Sequence, residues 1–398
     1  MIMTFHFSKR VPADGTDAVG AILKAAADPK VISFAGGLPA PELFPVEGMK
    51  KATDKVYEEH GREALQYGAA AGVTELRQLI LKRVAEKEGV HANLENVMVT
   101  TGSEQAIDLV GKAFVNPGDT VLVEDPTYLC ALDVFRSYGA KFVGVPMDED
   151  GMRMDALEDA LKAHPEAKLV YTVPNFQNPT GRTMPADRRK KFAELAAKYD
   201  VPVLEDNPYG DIRFAGQHVP SVKSFDKTGH VFYMSTFSKI LAPGFRLGWL
   251  VADPEVVKKL TVLKQSADLH TDNLVQYVVA EFFKENDVDA HVKEISALYG
   301  KRKQLMVEGL QKYFPKSVKY TNPEGGMFLW VTVPGVDDTV ALFKECLKHN
   351  VAFVPGDPFF AGKPQPGTFR LNYSNMAEDK IQVGLKQLGA ALDEALNK

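Results

Sequence analysis

The feature that most constrains this chain is a unit repeated between residues 97 and 252: a short β-rich apolar run, polar residues at its end, then usually a segment of helical period. Val97-Met-Val-Thr-Thr-Gly-Ser103 leads into a helix from Glu104 to Val115, and Thr120-Val-Leu-Val-Glu-Asp-Pro-Thr-Tyr128 into one from Leu129 to Tyr138. Lys168-Leu-Val-Tyr-Thr-Val173 ends in Pro-Asn-Phe-Gln-Asn178-Pro-Thr-Gly181, ahead of a helix from Pro185 to Tyr199. Val201-Pro-Val-Leu-Glu205 ends in Asp206-Asn-Pro-Tyr209, Val231-Phe-Tyr-Met234 runs on to Lys239, and Leu247 to Ala252 reads as a further strand. Such alternation demands right-handed crossovers, so it predicts an α/β fold with a mainly parallel sheet flanked by helices. Ligands in these sheets bind at the carboxyl ends of the strands. Ser103, Tyr128, Asn178, Asp206, Tyr209 and Lys239 are therefore expected on one rim. Loops are polar everywhere, but an isolated Asp, a Tyr three residues later and a Lys gathered at one edge describe a site.

The flanking segments differ in character. A short helix is expected over Asp17 to Ala27, followed by Val31-Ile-Ser-Phe-Ala-Gly-Gly-Leu-Pro-Ala-Pro-Glu-Leu-Phe-Pro45, whose Gly and Pro content predicts a fixed turning segment, either a plain connector or a pocket wall. Val46 to Glu88 has helical period, broken by Ala64-Leu-Gln-Tyr-Gly-Ala-Ala-Ala-Gly-Val73, which leaves Tyr67 on the break. Pro254 to Phe314 is mostly helical. Strand candidates at Val318-Lys-Tyr-Thr, Met327 to Val333 and Phe369 to Tyr373, around a helix from Thr339 to Asn350, suggest a separate α+β unit. The division read from these patterns is a large domain over 46–290 and a small one from 1–45 with 291–398.

Composition narrows the function. With 398 residues, 45% hydrophobic and 25% charged, the chain is that of an ordinary globular protein. A net charge of −5 without a long basic run leaves no footprint for nucleic acid, so small molecules are the expected partners. No apolar run is long enough to span a bilayer, and the first residues lack a secretory pattern. Two distant cysteines, Cys130 and Cys346, suggest neither a disulfide framework nor a thiolate metal site, and point to a reducing cytoplasm. Neither G-x-G-x-x-G after a strand nor G-x-x-x-x-G-K-[ST] is present, and the histidines have no ligand spacing.

Taken singly, Lys239 reads as a surface lysine after a strand, Asp206 as a turn residue, Tyr128 as core and Asn178-Pro-Thr-Gly as a turn. Taken together they suit one ligand, a pyridine aldehyde phosphate. Lys239, desolvated beside a cation, is a nucleophile toward the aldehyde. Asp206 pairs with the ring nitrogen and keeps it protonated, Asn178 and Tyr209 hydrogen-bond the phenolic oxygen, and Tyr128 stacks on the ring. Gly102, Ser103 and the amide of Glu104 open a helix whose dipole favours the phosphate, with Thr236, Ser238 and Arg246 completing the cradle.

These residues resemble the fold-type-I pyridoxal-phosphate aminotransferases of class I/II, in the branch that includes 2-aminoadipate and kynurenine aminotransferases. The resemblance runs from about Val31 to Tyr373. It is carried by Phe34-Ala-Gly-Gly-Leu-Pro39, Thr101-Gly-Ser103, Asn178-Pro-Thr-Gly181, Asp206-Asn-Pro-Tyr209, Ser238-Lys239 with Arg246 seven residues on, and Phe369-Arg370. It implies a seven-stranded sheet in a large domain, an α+β small domain, and pyridoxal 5'-phosphate as cofactor. It implies ping-pong transfer of an amino group between an L-amino acid and a 2-oxo acid, with Lys239, Asp206 and Tyr209 in the chemistry. It also implies that Arg370, with Asn178 and Gly37, holds the substrate, and that Tyr67 reaches the phosphate of a neighbouring subunit in a homodimer with shared active sites.

Two departures qualify this. Glu104-Gln105 stands where an uncharged side chain is expected, and nothing is lost if Glu104 offers only its amide and points outward. Gly20 stands where members acting on acidic side chains can carry an arginine, which favours a broad, aromatic or aliphatic range over a donor such as 2-aminoadipate or glutamate. The rival readings are β-elimination or decarboxylation on the same fold and a non-catalytic ligand-sensing domain. Arg370 as a carboxylate clamp favours α-proton chemistry over decarboxylation. The absence of a basic module ahead of the catalytic part counts against the sensor.

Overall fold

The computed structural model describes residues 5–11, 20, 24 and 28–396. The helix expected over Asp17 to Ala27 lies outside the described residues except for Gly20 and Lys24, both helical. After a two-residue strand β1 (Ile32–Ser33) come helices α1 (Val46–Ala64) and α2 (Thr74–Glu88), separated at the glycine-flanked break that carries Tyr67. The repeating region then unfolds as β2 (Val97–Thr100), α3 (Gly102–Phe114), β3 (Thr120–Asp125), α4 (Leu129–Ser137), β4 (Lys141–Asp148), β5 (Gly151–Met152), α5 (Met154–Ala163) and β6 (Leu169–Thr172). It continues through α6 (Ala186–Lys198), β7 (Val203–Asp206), β8 (Val231–Thr236) and β9 (Gly248–Val251). Helices α7 (Pro254–Asp268), α8 (Asn273–Glu285) and the 26-residue α9 (Val288–Tyr313) follow. Strands β10 (Lys319–Tyr320) and β11 (Phe328–Thr332), α10 (Thr339–Lys348), β12 (Val351–Ala352), β13 (Val354–Pro355), β14 (Thr368–Asn372) and α11 (Glu378–Leu396) complete the order.

The main sheet has the strand order β2-β9-β8-β7-β6-β3-β4-β5. It has eight strands among the described residues rather than seven, because the two-residue β5 folds back antiparallel onto the edge of β4. β3, β4, β6, β7 and β8 run parallel, and β9 lies antiparallel between β2 and β8, so β2 points the same way as β8. All five polar strand ends therefore reach one rim.

Burial explains why these runs read as continuously apolar. Along β3 and β6, alternate residues enter two different cores: Val121, Val123, Leu169 and Tyr171 pack with residues of α3 and α4, while Leu122 and Val170 pack with residues of α5 and α6. A strand covered on both faces has no polar face to show. A four-stranded antiparallel sheet, β10-β11-β14-β13, forms separately, and β1 pairs in parallel with β12. That pairing, with Asn372 N donating to Phe34 O, fixes the Gly-Pro segment after β1 beside β14. No helix among the described residues is long and apolar enough to cross a membrane.

Candidate active site

A cavity of about 700 Å³ opens at the carboxyl rim of the main sheet. Its lining includes Gly37, Ser103, Glu104, Tyr128, Asn178, Asp206, Tyr209, Thr236, Ser238, Lys239, Arg246 and Arg370. Of the residues singled out from sequence, Gly102 lies just behind the lining, and Tyr67 lies away from it, 78% exposed and edge-on to His270.

Lys239 follows the turn after β8, and its Nζ donates to Gly37 O at 3.0 Å. Burial, then the charges of Arg370 and Arg246, lower its amine to about 8. Asp206 ends β7 and is buried. One carboxylate oxygen, Oδ2, accepts from the Tyr171 hydroxyl at 2.7 Å, while Oδ1 has no hydrogen-bond partner among the described residues. Burial raises this acid to about 7, with Glu104 and Glu124 adding to the rise against the Tyr171 hydrogen bond. A cationic N–H set against Oδ1 would satisfy the orphaned atom and return the acid to its charged form.

Arg370, on β14, is buried beneath the Gly-Pro segment. Its Nη1 donates to Asn178 Oδ1 at 2.7 Å and its Nη2 to Ala35 O at 2.8 Å, while Nε has no partner among the described residues. The guanidinium lies 4.2 Å from the centroid of Phe328. Burial lowers it to about 10, which leaves it charged at neutral pH. Asn178 Nδ2 also donates to the Tyr209 hydroxyl at 3.4 Å, so these three side chains form one chain of contacts.

The opposite end of the cavity gathers groups that suit an anion. Gly102 opens α3 with φ of +76°, and a Cβ there would stand 2.5 Å from Arg246 Nη2. Ser103 follows at the helix start, Thr236 Oγ1 donates to Ser238 Oγ at 2.9 Å, and Arg246 itself is held at φ of +51° after a short turn from Pro243 to Phe245. Free amides at a helix start, hydroxyls and a guanidinium suit a phosphate. With Asp206 Oδ1 waiting for a cation and a lowered lysine amine between, the residues fit a pyridine ring that carries an aldehyde and a phosphate.

Glu104 departs from expectation. It does not point outward: its side chain lines the cavity, half-buried, with the Tyr128 hydroxyl donating to Oε2 at 3.5 Å. Helix α3 begins at Gly102, so its third residue faces the α4 start rather than solvent.

Three contributors were not singled out from sequence. Tyr171, which holds Asp206, sits inside an apolar run and reads as core. Phe328, under Arg370, reads as one of several strand aromatics. Glu124 is buried at the end of β3, accepting from the Thr172 hydroxyl at 2.6 Å and from Gln177 Nε2 at 2.9 Å, and so shapes the loop that carries Asn178. An acid within Val-Leu-Val-Glu was the available signal.

The family model described as "Aminotransferase class I and II" matches residues 29–388. The chain is 42% identical to aromatic-amino-acid aminotransferase 1 of Thermococcus litoralis, over 99% of this chain and 95% of that protein. It is 41% identical to the 2-aminoadipate transaminase of Thermus thermophilus, over 93% of this chain and 92% of the relative. The crystal structure of Pyrococcus horikoshii kynurenine aminotransferase superposes with a TM-score of 0.94 at 42% identity, covering 98% of this chain and 97% of that one. The chain therefore belongs to the class I and II aminotransferases, enzymes of the fold-type-I architecture that move amino groups with pyridoxal 5'-phosphate as cofactor.

Proposed function

We propose that this enzyme takes its amino group from L-amino acids with aromatic or aliphatic side chains and passes it to a 2-oxo acid, with Lys239, Asp206 and Arg370 as the residues that carry the reaction. The observation that supports it best is the convergence of a lowered amine, an orphaned buried carboxylate oxygen and a buried guanidinium in one cavity.

When bound, the cofactor supplies an aldehyde for the amino group and a ring that accepts the electron pair left at the substrate Cα. Asp206 would hold the ring nitrogen's proton through Oδ1, with Tyr171 fixing the other oxygen. Tyr209 and Asn178 would hold the phenolic oxygen, Tyr128 the ring, and Gly102, Ser103, the Glu104 amide, Thr236, Ser238 and Arg246 the phosphate. Arg370 turns its fork to the substrate carboxylate, drawing on hydrogen bonds now made to Asn178 and Ala35. Lys239 Nζ would take the proton from the substrate Cα as base and give it back as acid. The half-reaction then runs backwards on the 2-oxo acid, which makes the kinetics ping-pong.

The side-chain end of the cavity supports the donor class. Val31, Leu38, Leu129, Phe328, Val354 and Met376 are apolar, Asp28 would repel an acidic side chain, and the described cationic lining residues are Lys239, Arg246 and Arg370. Tyr67, exposed with Leu65 and Leu269 near it in sequence or space, supports a homodimer in which it completes the partner's phosphate site. In this reading residues 46–290 form the body that holds the cofactor and 291–398 with the N-terminal segment the part that brings Arg370. Two free thiols suit a cytoplasmic enzyme. The test is a comparison of half-reaction rates: phenylalanine and leucine should exceed 2-aminoadipate and aspartate, and the reverse order would overturn the donor class.

A further inference from the structure

Glu104 has no role in the reaction just described beyond its backbone amide, yet its side chain is built into the site. It occupies the third position of α3, in the same turn as Gly102 and Ser103, and it accepts from the hydroxyl of Tyr128. We propose that Glu104 is a proton-coupled part of the phosphate cradle: the cradle takes the cofactor phosphate more tightly with Glu104 as the neutral acid, so that cofactor binding takes up a proton there while the carboxyl keeps Tyr128 in place. The inference rests on the cofactor assignment above.

The geometry leaves little alternative. A phosphate at neutral pH is mostly dianionic, since its second ionisation lies near 6. Placed at the start of α3, it shares that turn with Glu104, and two anions within one cradle oppose each other's charge. Arg246 is the cation that acts on Glu104, and Lys239 and Arg370 line the same cavity. The other groups around it, Tyr128, Cys130 and Asp133 from the start of α4, Asp108 from its own helix and Asp206 across the cavity, supply no positive charge. Burial, joined by Asp133 and Asp108, already raises the acid, against the Tyr128 hydrogen bond and Arg246. A bound phosphate opposes the carboxylate further and also competes for Arg246. Between the acid's value in the free cavity and its higher value beside phosphate, binding must therefore take up a proton, and affinity falls as pH rises through that window.

The experiment uses pyridoxamine 5'-phosphate, which lacks the aldehyde and so binds without the Lys239 bond, added to the full-length protein freed of cofactor. Calorimetry in two buffers of different ionisation enthalpy counts the protons taken up, for wild type and for Glu104→Gln, whose amide oxygen still accepts from Tyr128. Wild type should take up as much as one proton more than the variant, and its affinity should fall relative to the variant's as pH rises, by up to about tenfold per pH unit where the carboxyl titrates. Equal proton counts with parallel affinity curves would overturn the assignment to Glu104 and leave the cofactor site intact. Failure of both proteins to bind would remove the cofactor site and this inference with it.

Discussion

Burial sets the chemistry of Lys239. With its amine lowered to about 8, roughly a tenth of it is neutral at pH 7, against well under a thousandth for a lysine at its ordinary value. Lys239→Ala should therefore lower kcat by about a thousandfold or more while phosphate-anchored cofactor still binds, read by steady-state assay beside cofactor titration. Arg370→Lys keeps the charge but loses the fork to Asn178 and Ala35; a loss of about 2 kcal/mol, or roughly 30-fold in kcat/KM for the amino acid, is expected from a buried charged contact. Unchanged kcat/KM would remove Arg370 from substrate binding. Lys239, Asp206 and Asn178 were legible in sequence because each interrupts an apolar run at the end where ligands bind. Tyr171 and Glu124 were not, because their partners come from neighbouring strands. The inward turn of Glu104 depends on Tyr128, which no local pattern reveals.

At the scale of elements, the cradle depends on how closely α3 meets the sheet. A Cβ on Gly248, at the start of β9, would stand 2.7 Å from both the carbonyl carbon of Gly102 and the amide nitrogen of Ser103. These are backbone atoms, so the helix start itself must move. Gly248→Ala should cost about 1 to 3 kcal/mol of stability, the usual range for overpacking, and weaken cofactor binding as well. Denaturation and cofactor titration on the same variant check both, and normal cofactor affinity would mean that the helix start is not held from β9. The strand–helix alternation that delivers this arrangement was readable because strands buried on both faces stay apolar throughout. β4 and β5 were not read: β4 lies toward the edge of the sheet, carries mixed exposure and contains Gly144 and Pro146, so its apolar contrast is weak. The two-residue strands β12 and β13 are too short to give any period.

At the scale of the molecule, the site and its surroundings place several acids out of water. Burial raises Glu88 to about 8, with Asp211 and Glu205 adding to it, and raises Glu124 to about 7 and Asp206 to about 7. In an unfolded chain these carboxyls titrate near 4, so between there and their folded values the folded state binds the extra proton. Stability of the cofactor-free protein should accordingly fall as pH rises from about 5 to about 8, by about 1.4 kcal/mol per unit for each group still titrating. Melting temperatures at pH 5.5 and pH 8 check this, and Glu88→Gln, which keeps an oxygen for Asn207, should narrow the difference. An equal or higher melting temperature at pH 8 would mean these acids stay charged in the folded protein. The rim was legible in the sequence, but this buried charge was not, because it arises only when α2, β3 and β7 are packed together.

The central claim is that Lys239 and the cavity around it carry amino transfer, and the absorption spectrum of the purified protein tests it most directly. The protein with pyridoxal 5'-phosphate should show a band near the visible edge that is absent from Lys239→Ala, disappears on adding phenylalanine or leucine and returns on adding a 2-oxo acid. A protein that binds the cofactor without such a band, or whose band no amino acid removes, would contradict the account.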